Sequence, residues 1–208
     1  MATTRTIRFG AISLAAIVVA ANARAAEEVF TFDKAHTKVG FRIRHTVSRV
    51  EGRFKDFDGT IWLDRENPAQ SRVELTIRAT SIDTANDNRD GDLRSANFFD
   101  VEKFPTITFK STKVEAAGAG ALKVTGDLTM HGVTRPVVLD VEYSGSAKDP
   151  WGGVRAGFSA RTTIDRKDFG LAYNQLLETG GVLVGETIEI GIEAEMVKQV
   201  PAAVPAAA

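Results

Sequence analysis

The stretch LKVTGDLTM at residues 122–130 sets Leu122, Val124, Gly126, Leu128 and Met130 on one side and Lys123, Thr125, Asp127 and Thr129 on the other. Side chains alternate across a β-strand with period two, so this pattern reads as a strand with one apolar and one polar face. The rhythm recurs along the chain. Val39, Phe41, Ile43 and His45 share a face, as do Val73, Leu75 and Ile77. Val137, Leu139, Val141 and Tyr143 follow, then Ala156, Phe158, Ala160, Thr162 and Ile164, and last Ile188, Ile190, Ile192 and Ala194. The intervening positions are largely Arg, Lys, Asp, Glu and Thr.

Shorter candidates fill the gaps: 29–32, 50–54, 59–63, 106–110 and 182–184. Turn signals separate the runs, among them Asn67-Pro68, Gly118 to Gly120, Asp149-Pro150 and Gly180-Gly181. Phe54 and Phe57 are three apart, which predicts a bulge or bend at Lys55-Asp56. From Ser81 to Phe104 the alternation stops. Leu93 and Ala96 suggest one or two helical turns between Asn88 and Asn97, and so long an irregular segment predicts a cap or lid.

The ends of the chain read differently. Arg5 and Arg8 precede an apolar run from Ala11 to Ala21, and Ala23-Arg24-Ala25 places small residues where a signal peptidase reads. That order predicts a secretory signal peptide over 1–25, cleaved from a folded unit over 26–198 and destined for the periplasm. The apolar run is shorter than the ~20 residues of a spanning helix. Residues 199–208 contain only Gln, Val, Pro and Ala and predict a flexible tail. The chain has no cysteine, so no disulfide supports the fold. Without the three leader arginines the 26 basic residues fall to 23 against 27 acidic ones. A net charge of this sign argues against nucleic acid, and against charge-driven adsorption to an anionic membrane.

Many short strands with one charged face imply an all-β sandwich or barrel. An integral outer-membrane barrel would show the same rhythm. Its strands need ~9–11 residues and two aromatic girdles, whereas two Trp and two Tyr are too few for such girdles.

Catalysis finds little support in the residue set. The histidines are His36, His45 and His131, and none pairs with another at metal-ligand spacing, so no metal site is expected. His131 suits a turn, and His36 suits a cap on the turn after Asp33. His45 continues an apolar face and reads either as a core or barrel-mouth histidine or as a polar anchor for a ligand head group. Asp90 and Asp92, and Asp165 and Asp168, flank arginines and read as surface pairs. Phosphate-loop, dinucleotide and nucleophile-elbow signatures are absent from the sequence. A binding protein is therefore expected rather than an enzyme, with no cofactor beyond a non-covalently held lipid. Twelve phenylalanines suit a core, or the walls of an apolar tube that only a hydrocarbon ligand would enter.

Several segments carry a family resemblance. They are HTKVGFRIRH (36–45) with Gly52, Phe54 and Gly59 after it, RDGDLRS (89–95), NFFDVEKFPTITFKS (97–111), GDLTMHGVTRPV (126–137), RKDFGL (166–171) and the Gly185-Glu186 turn. In this order they resemble the YceI family of polyisoprenoid-binding, lipocalin-like proteins, from about Phe30 to Val197. The resemblance implies an antiparallel up-and-down β-barrel of about eight strands with one short helix near its rim. It further implies a periplasmic location, a homodimer in some members, and an isoprenoid or isoprenoid-quinone chain in the lumen. The family usually has a histidine where this chain has Asp92.

Pattern and resemblance together place Phe41, Ile43, Leu75, Ile77, Phe109, Leu128, Leu139, Phe158 and Ile190 on the lumen wall. His45, Arg94, Phe98, Phe99 and Phe169 are the candidates for the mouth. Competing readings are a carrier of fatty acids or their amides, an enzyme acting on a lipid head group with His45 as base, and an interaction protein whose barrel is packed solid.

Overall fold

A computed structural model of the chain describes residues 27–178 and 180–200. The leader over 1–25 and residues 201–208 of the tail lie outside the described residues. The strands are β1 (Glu28–Phe32), β2 (Lys38–His45), β3 (Ser48–Phe54), β4 (Phe57–Leu63), β5 (Arg72–Arg78), β6 (Ile82–Asp83), β7 (Thr106–Gly118), β8 (Ala121–Met130), β9 (Val133–Lys148), β10 (Val154–Asp165) and β11 (Val184–Lys198). All of them join one antiparallel sheet. β1 pairs with β4 and β2 with β3, so β1–β2 and β3–β4 are two long strands, each with a break. β5 faces β4 and β6 faces β3, which makes a third broken strand. Counted this way, eight long strands follow one another up and down, and β11 closes the barrel on β1 and β2.

The predicted bend at Lys55-Asp56 separates β3 from β4. An uninterrupted strand would put Phe54 and Phe57 on opposite faces, whereas both are buried here. The ladder continues past the bend: Lys55 N–H donates to Ser81 O at 3.1 Å and Arg78 N–H to Asp56 O at 2.9 Å.

The charged faces point outward. Arg42 lies opposite Glu189, Lys123 opposite Asp140 and Glu74 opposite Lys110, each pair linked across the sheet at half-exposed or exposed positions. Such pairs contribute at most about 1 kcal/mol each, but they fix which face meets water. Apolar-in and charged-out is the reverse of a lipid-facing barrel. Among the described residues no helix is long and apolar enough to cross a membrane.

The structure departs from the sequence reading in several strand bounds and one burial; β7, for one, runs on to Gly118 where that reading ended at 110. β9 and β11 are longer than their apolar runs, because 133–136 and 144–148 carry polar outward residues. At the start of β11, moreover, the register with β2 shifts between Val184 and Ile188. Val182 forms only a single bridge, to Leu176, and Val184 belongs to β11. Asp90 is not a surface group. It is 4% exposed and accepts hydrogen bonds from Thr84 N–H (2.9 Å) and Thr84 Oγ1 (2.5 Å), which ties helix α1 (Asp87–Arg94) to the barrel. The Asn86 side chain caps that helix by accepting from Arg89 N–H at 3.0 Å.

Candidate functional site

The barrel encloses a cavity of about 350 Å³. Every strand except the two-residue β6 contributes inward side chains or flanks one that does. All nine residues expected on the lumen wall line it: Phe41 and Ile43 from β2, Leu75 and Ile77 from β5, Phe109 from β7, Leu128 from β8, Leu139 from β9, Phe158 from β10 and Ile190 from β11. Phe41, Ile43, Leu139 and Ile190 remain only partly buried although they point inward. A solidly packed interior would bury them, as native cores leave few voids. The packed-solid reading therefore does not describe this barrel.

Two glycines make room for the walls. Phe41 lies opposite Gly52, and a Cβ at Gly52 would sit 2.3 Å from Phe41 Cζ. At Gly126 a Cβ would meet Phe109 Cζ at 2.4 Å. Each ring thus lies flat across the neighbouring strand, so a bulky side chain covers wall without filling the lumen.

Further lining residues extend the same faces, including Val39, Val73, Val124, Val137, Ile188 and Ile192. The alternation pointed to these as clearly as to the nine. Polar groups enter the lining mainly at the end where β2 finishes and α1 sits. There His45, Thr84, Arg89, Asp92, Arg166 and Tyr173 join Phe98 and Phe99. Phe98 stacks on Tyr173 with centroids 5.0 Å apart, and Phe99 meets Phe54 edge-on at 5.9 Å. Arg89 donates from Nε to Thr84 Oγ1 at 2.7 Å, continuing the Asp90–Thr84 network. Asp92 accepts from Asn97 Nδ2 at 3.0 Å on the exposed rim. No periodic signal marks Thr84, Arg89 or Arg166, since they lie outside the alternating runs.

Of the five mouth candidates, His45, Phe98 and Phe99 line the cavity, and Arg94 and Phe169 do not. Arg94 donates to Thr80 O (2.8 Å) and Ile82 O (2.9 Å), pinning α1 onto the chain before it. Phe169, 1% exposed, is core. β10 pairs with β9 only from Arg161 opposite Asp140 onward, and Pro136, with no N–H to give, lies in the stretch of β9 left unpaired. The turn Arg166–Phe169 packs against β9 there: Arg135 Nε donates to Asp168 O at 3.3 Å, and His131 Nδ1 lies 3.2 Å from Phe169 O. Arg166, 2% exposed, donates to Gly185 O at 2.8 Å and to Leu171 O. Burial pulls its pKa below the usual arginine value.

The histidines fall as follows. His131 takes a left-handed backbone (φ 52) in the β8–β9 turn. The only hydrogen-bond contact of the His45 ring among the described residues is Thr46 Oγ1, 3.4 Å from Nδ1. His36 Nδ1 lies 3.0 Å from Asp33 Oδ2, and these two with Glu195 bring donor atoms within 4.8 Å of one another. That cluster already holds a cation, because Arg155 donates to both Asp33 and Glu195.

The YceI-like domain profile matches residues 30–196. The chain belongs to the YceI-like family. A UPF0312 protein of Ectopseudomonas mendocina is 40% identical over 190 residues, covering 91% of this chain and 96% of that protein. The crystal structure of the Campylobacter jejuni YceI protein is 36% identical with a TM-score of 0.65, covering 81% of this chain and 96% of that one. A polyisoprenoid-binding domain from Saccharophagus degradans shares the fold at TM-score 0.59 and 16% identity, over 82% of this chain and 98% of that one.

Proposed function

We propose that this YceI-like protein binds a long apolar lipid, of the isoprenoid or isoprenoid-quinone type, in the barrel lumen, and carries or stores it in the periplasm after export by the 1–25 leader. The observation that carries the reading is a cavity walled mainly by hydrocarbon, with most of its polar groups at the α1 end. Such a lining offers a hydrocarbon chain dispersion and release from water, at roughly 25 cal/mol per Å² buried, and offers a polar body nothing. The name given to the Saccharophagus degradans domain supports the isoprenoid class. The gathering of His45, Arg89, Asp92 and Tyr173 at the α1 end supports a chain that enters tail first and leaves its head group at the rim.

Binding without catalysis is the reading that His45 favours. No carboxylate hydrogen-bonds to its ring among the described residues, so nothing orients it as a base. Organic extraction of the natively purified protein tests the proposal. Mass spectrometry is expected to find an isoprenoid or quinone at about one per chain. A fatty acid or amide would shift the reading to that class, and an empty protein that takes up no long-chain lipid would overturn it.

A further inference from the structure

We infer that the α1 end of the barrel is a docking surface for a phospholipid bilayer, with Val47 at the β2–β3 hairpin tip and Leu176 and Val182 as its apolar contacts. The inference rests on the lipid-binding reading above, since a cavity that loads hydrocarbon needs a route that avoids water.

Val47, at the tip of the β2–β3 hairpin, is 95% exposed, and Leu176 is 86% exposed. The two segments abut: Thr46 N–H donates to Leu183 O at 2.8 Å, and Val184 lies opposite His45. Leu176 bridges to Val182, itself 40% exposed. On the inner side of the same segments, His45, Leu183 and Val184 line the cavity. Apolar side chains therefore stand on both sides of this rim, Leu183 and Val184 toward the lumen and Val47 and Leu176 toward the outside.

The hairpin adds a charge signature. Arg44 and Arg49 are directly opposite one another on β2 and β3, both exposed. Like charges facing across a sheet are unfavourable. Neither forms an ion pair among the described residues, and the Arg44 side chain's hydrogen bond goes to Thr46 O. Elsewhere on the same strands the outward arginines are paired, Arg42 with Glu189 and Arg53 with Asp83. An apolar tip flanked by two arginines outside any close ion pair, Arg49 acting on Glu189 only at longer range, is the arrangement of an interfacial anchor, with side chains at acyl depth and guanidinium groups at the phosphates. Phosphate oxygens would separate the two like charges and accept from both.

The test is co-sedimentation of the mature protein with vesicles of phosphatidylethanolamine and phosphatidylglycerol, with lipid content per chain measured on the same preparations. Wild type is expected to bind. The Val47→Glu/Leu176→Glu double variant should bind at least about tenfold more weakly, because two apolar contacts are replaced by charges that an anionic surface repels. Arg44→Gln/Arg49→Gln should weaken binding and flatten its salt dependence. Trp151→Ser, at an 85% exposed residue on the opposite end, should bind as wild type does. The inference is overturned if lipid-loaded wild type ignores vesicles, or if the double variant binds them undiminished. It is also overturned if the same substitutions split a dimer that never adsorbs, since a second copy would then cover the rim. A protein that adsorbs through this rim yet never holds lipid would leave the docking surface standing and remove the lumen reading.

Discussion

The two ends of the barrel are built on different principles. Where β1 starts and β11 finishes, charge is consumed internally. Arg155 donates to Asp33 at 2.5 Å, to Asp149 at 3.1 Å and to Glu195. Glu28 is shared by Arg65 and by Lys198, the latter at 2.5 Å, and Arg72 pairs with Glu27. Phe30 and Met196 are fully buried beneath this layer. At the other end His45, Arg89, Asp92 and Tyr173 lie on the cavity lining beside α1. Val47 and Leu176 stand outside it in water. Strand pairing closes the barrel whatever its ends carry, so one end can be held by ion pairs while the other carries ligand chemistry, and substitutions at the two ends should separate stability from binding.

The largest expected effect comes from Phe158→Ser. Phe158 belongs to the buried cluster of the ion-paired end, packs on Tyr143 at 5.1 Å, and also lines the cavity. Its loss should cost about 3–5 kcal/mol in denaturant unfolding and lower lipid occupancy. Equal occupancy in the folded fraction would remove Phe158 from the ligand wall. Gly126→Val comes next. Its side chain must displace the Phe109 ring into the lumen and also press on the backbone carbonyl of Lys110, 2.6 Å from a Cβ there, so stability should fall by about 1–3 kcal/mol and lipid uptake should fall with it.

Arg155→Met should lower Tm by several degrees and leave lipid stoichiometry unchanged. The Arg155 guanidinium, then His36, hold the Asp33 carboxyl at about 2, below its ordinary 3.8. Asp33 therefore supports the fold fully above about pH 4, and that support fades as pH drops through 2. The variant's acid-unfolding curve should be shallower across this interval than wild type's. The smallest expected effect on stability belongs to Asp92→His, at an exposed rim position. Tm should hold within a degree or two. Lipid release, however, should become sensitive to pH near 6.5, where an unperturbed histidine titrates.

How much was legible in the sequence follows the same division. Strand faces obey a period of two, so LKVTGDLTM and its counterparts identified an all-β sandwich or barrel, which the family resemblance narrowed to a barrel, and Phe41, Leu75, Leu128 and Ile190 could be placed on its inner wall. The open end is made of turns and one short helix, where no period constrains direction. Arg94 and Phe169 look like neighbours of the mouth in sequence, yet one caps carbonyls and the other is buried in the core. Asp90 is buried because Thr84, six residues earlier, folds back on it. Arg89 and Arg166 reach the lining through tertiary contacts alone, and Val47 is recognisable as exposed only once the hairpin tip is seen.

Native mass spectrometry of the mature protein beside its Ala160→Trp variant probes the central claim most directly. Ala160 faces the cavity from β10, and an indole there would occupy the space assigned to the lipid. The wild-type ion is expected to carry one long-chain lipid and the variant none, with matching circular dichroism. Identical lipid content in both, or bare protein in wild type after incubation with a polyprenyl lipid, would contradict a hollow, lipid-filled barrel.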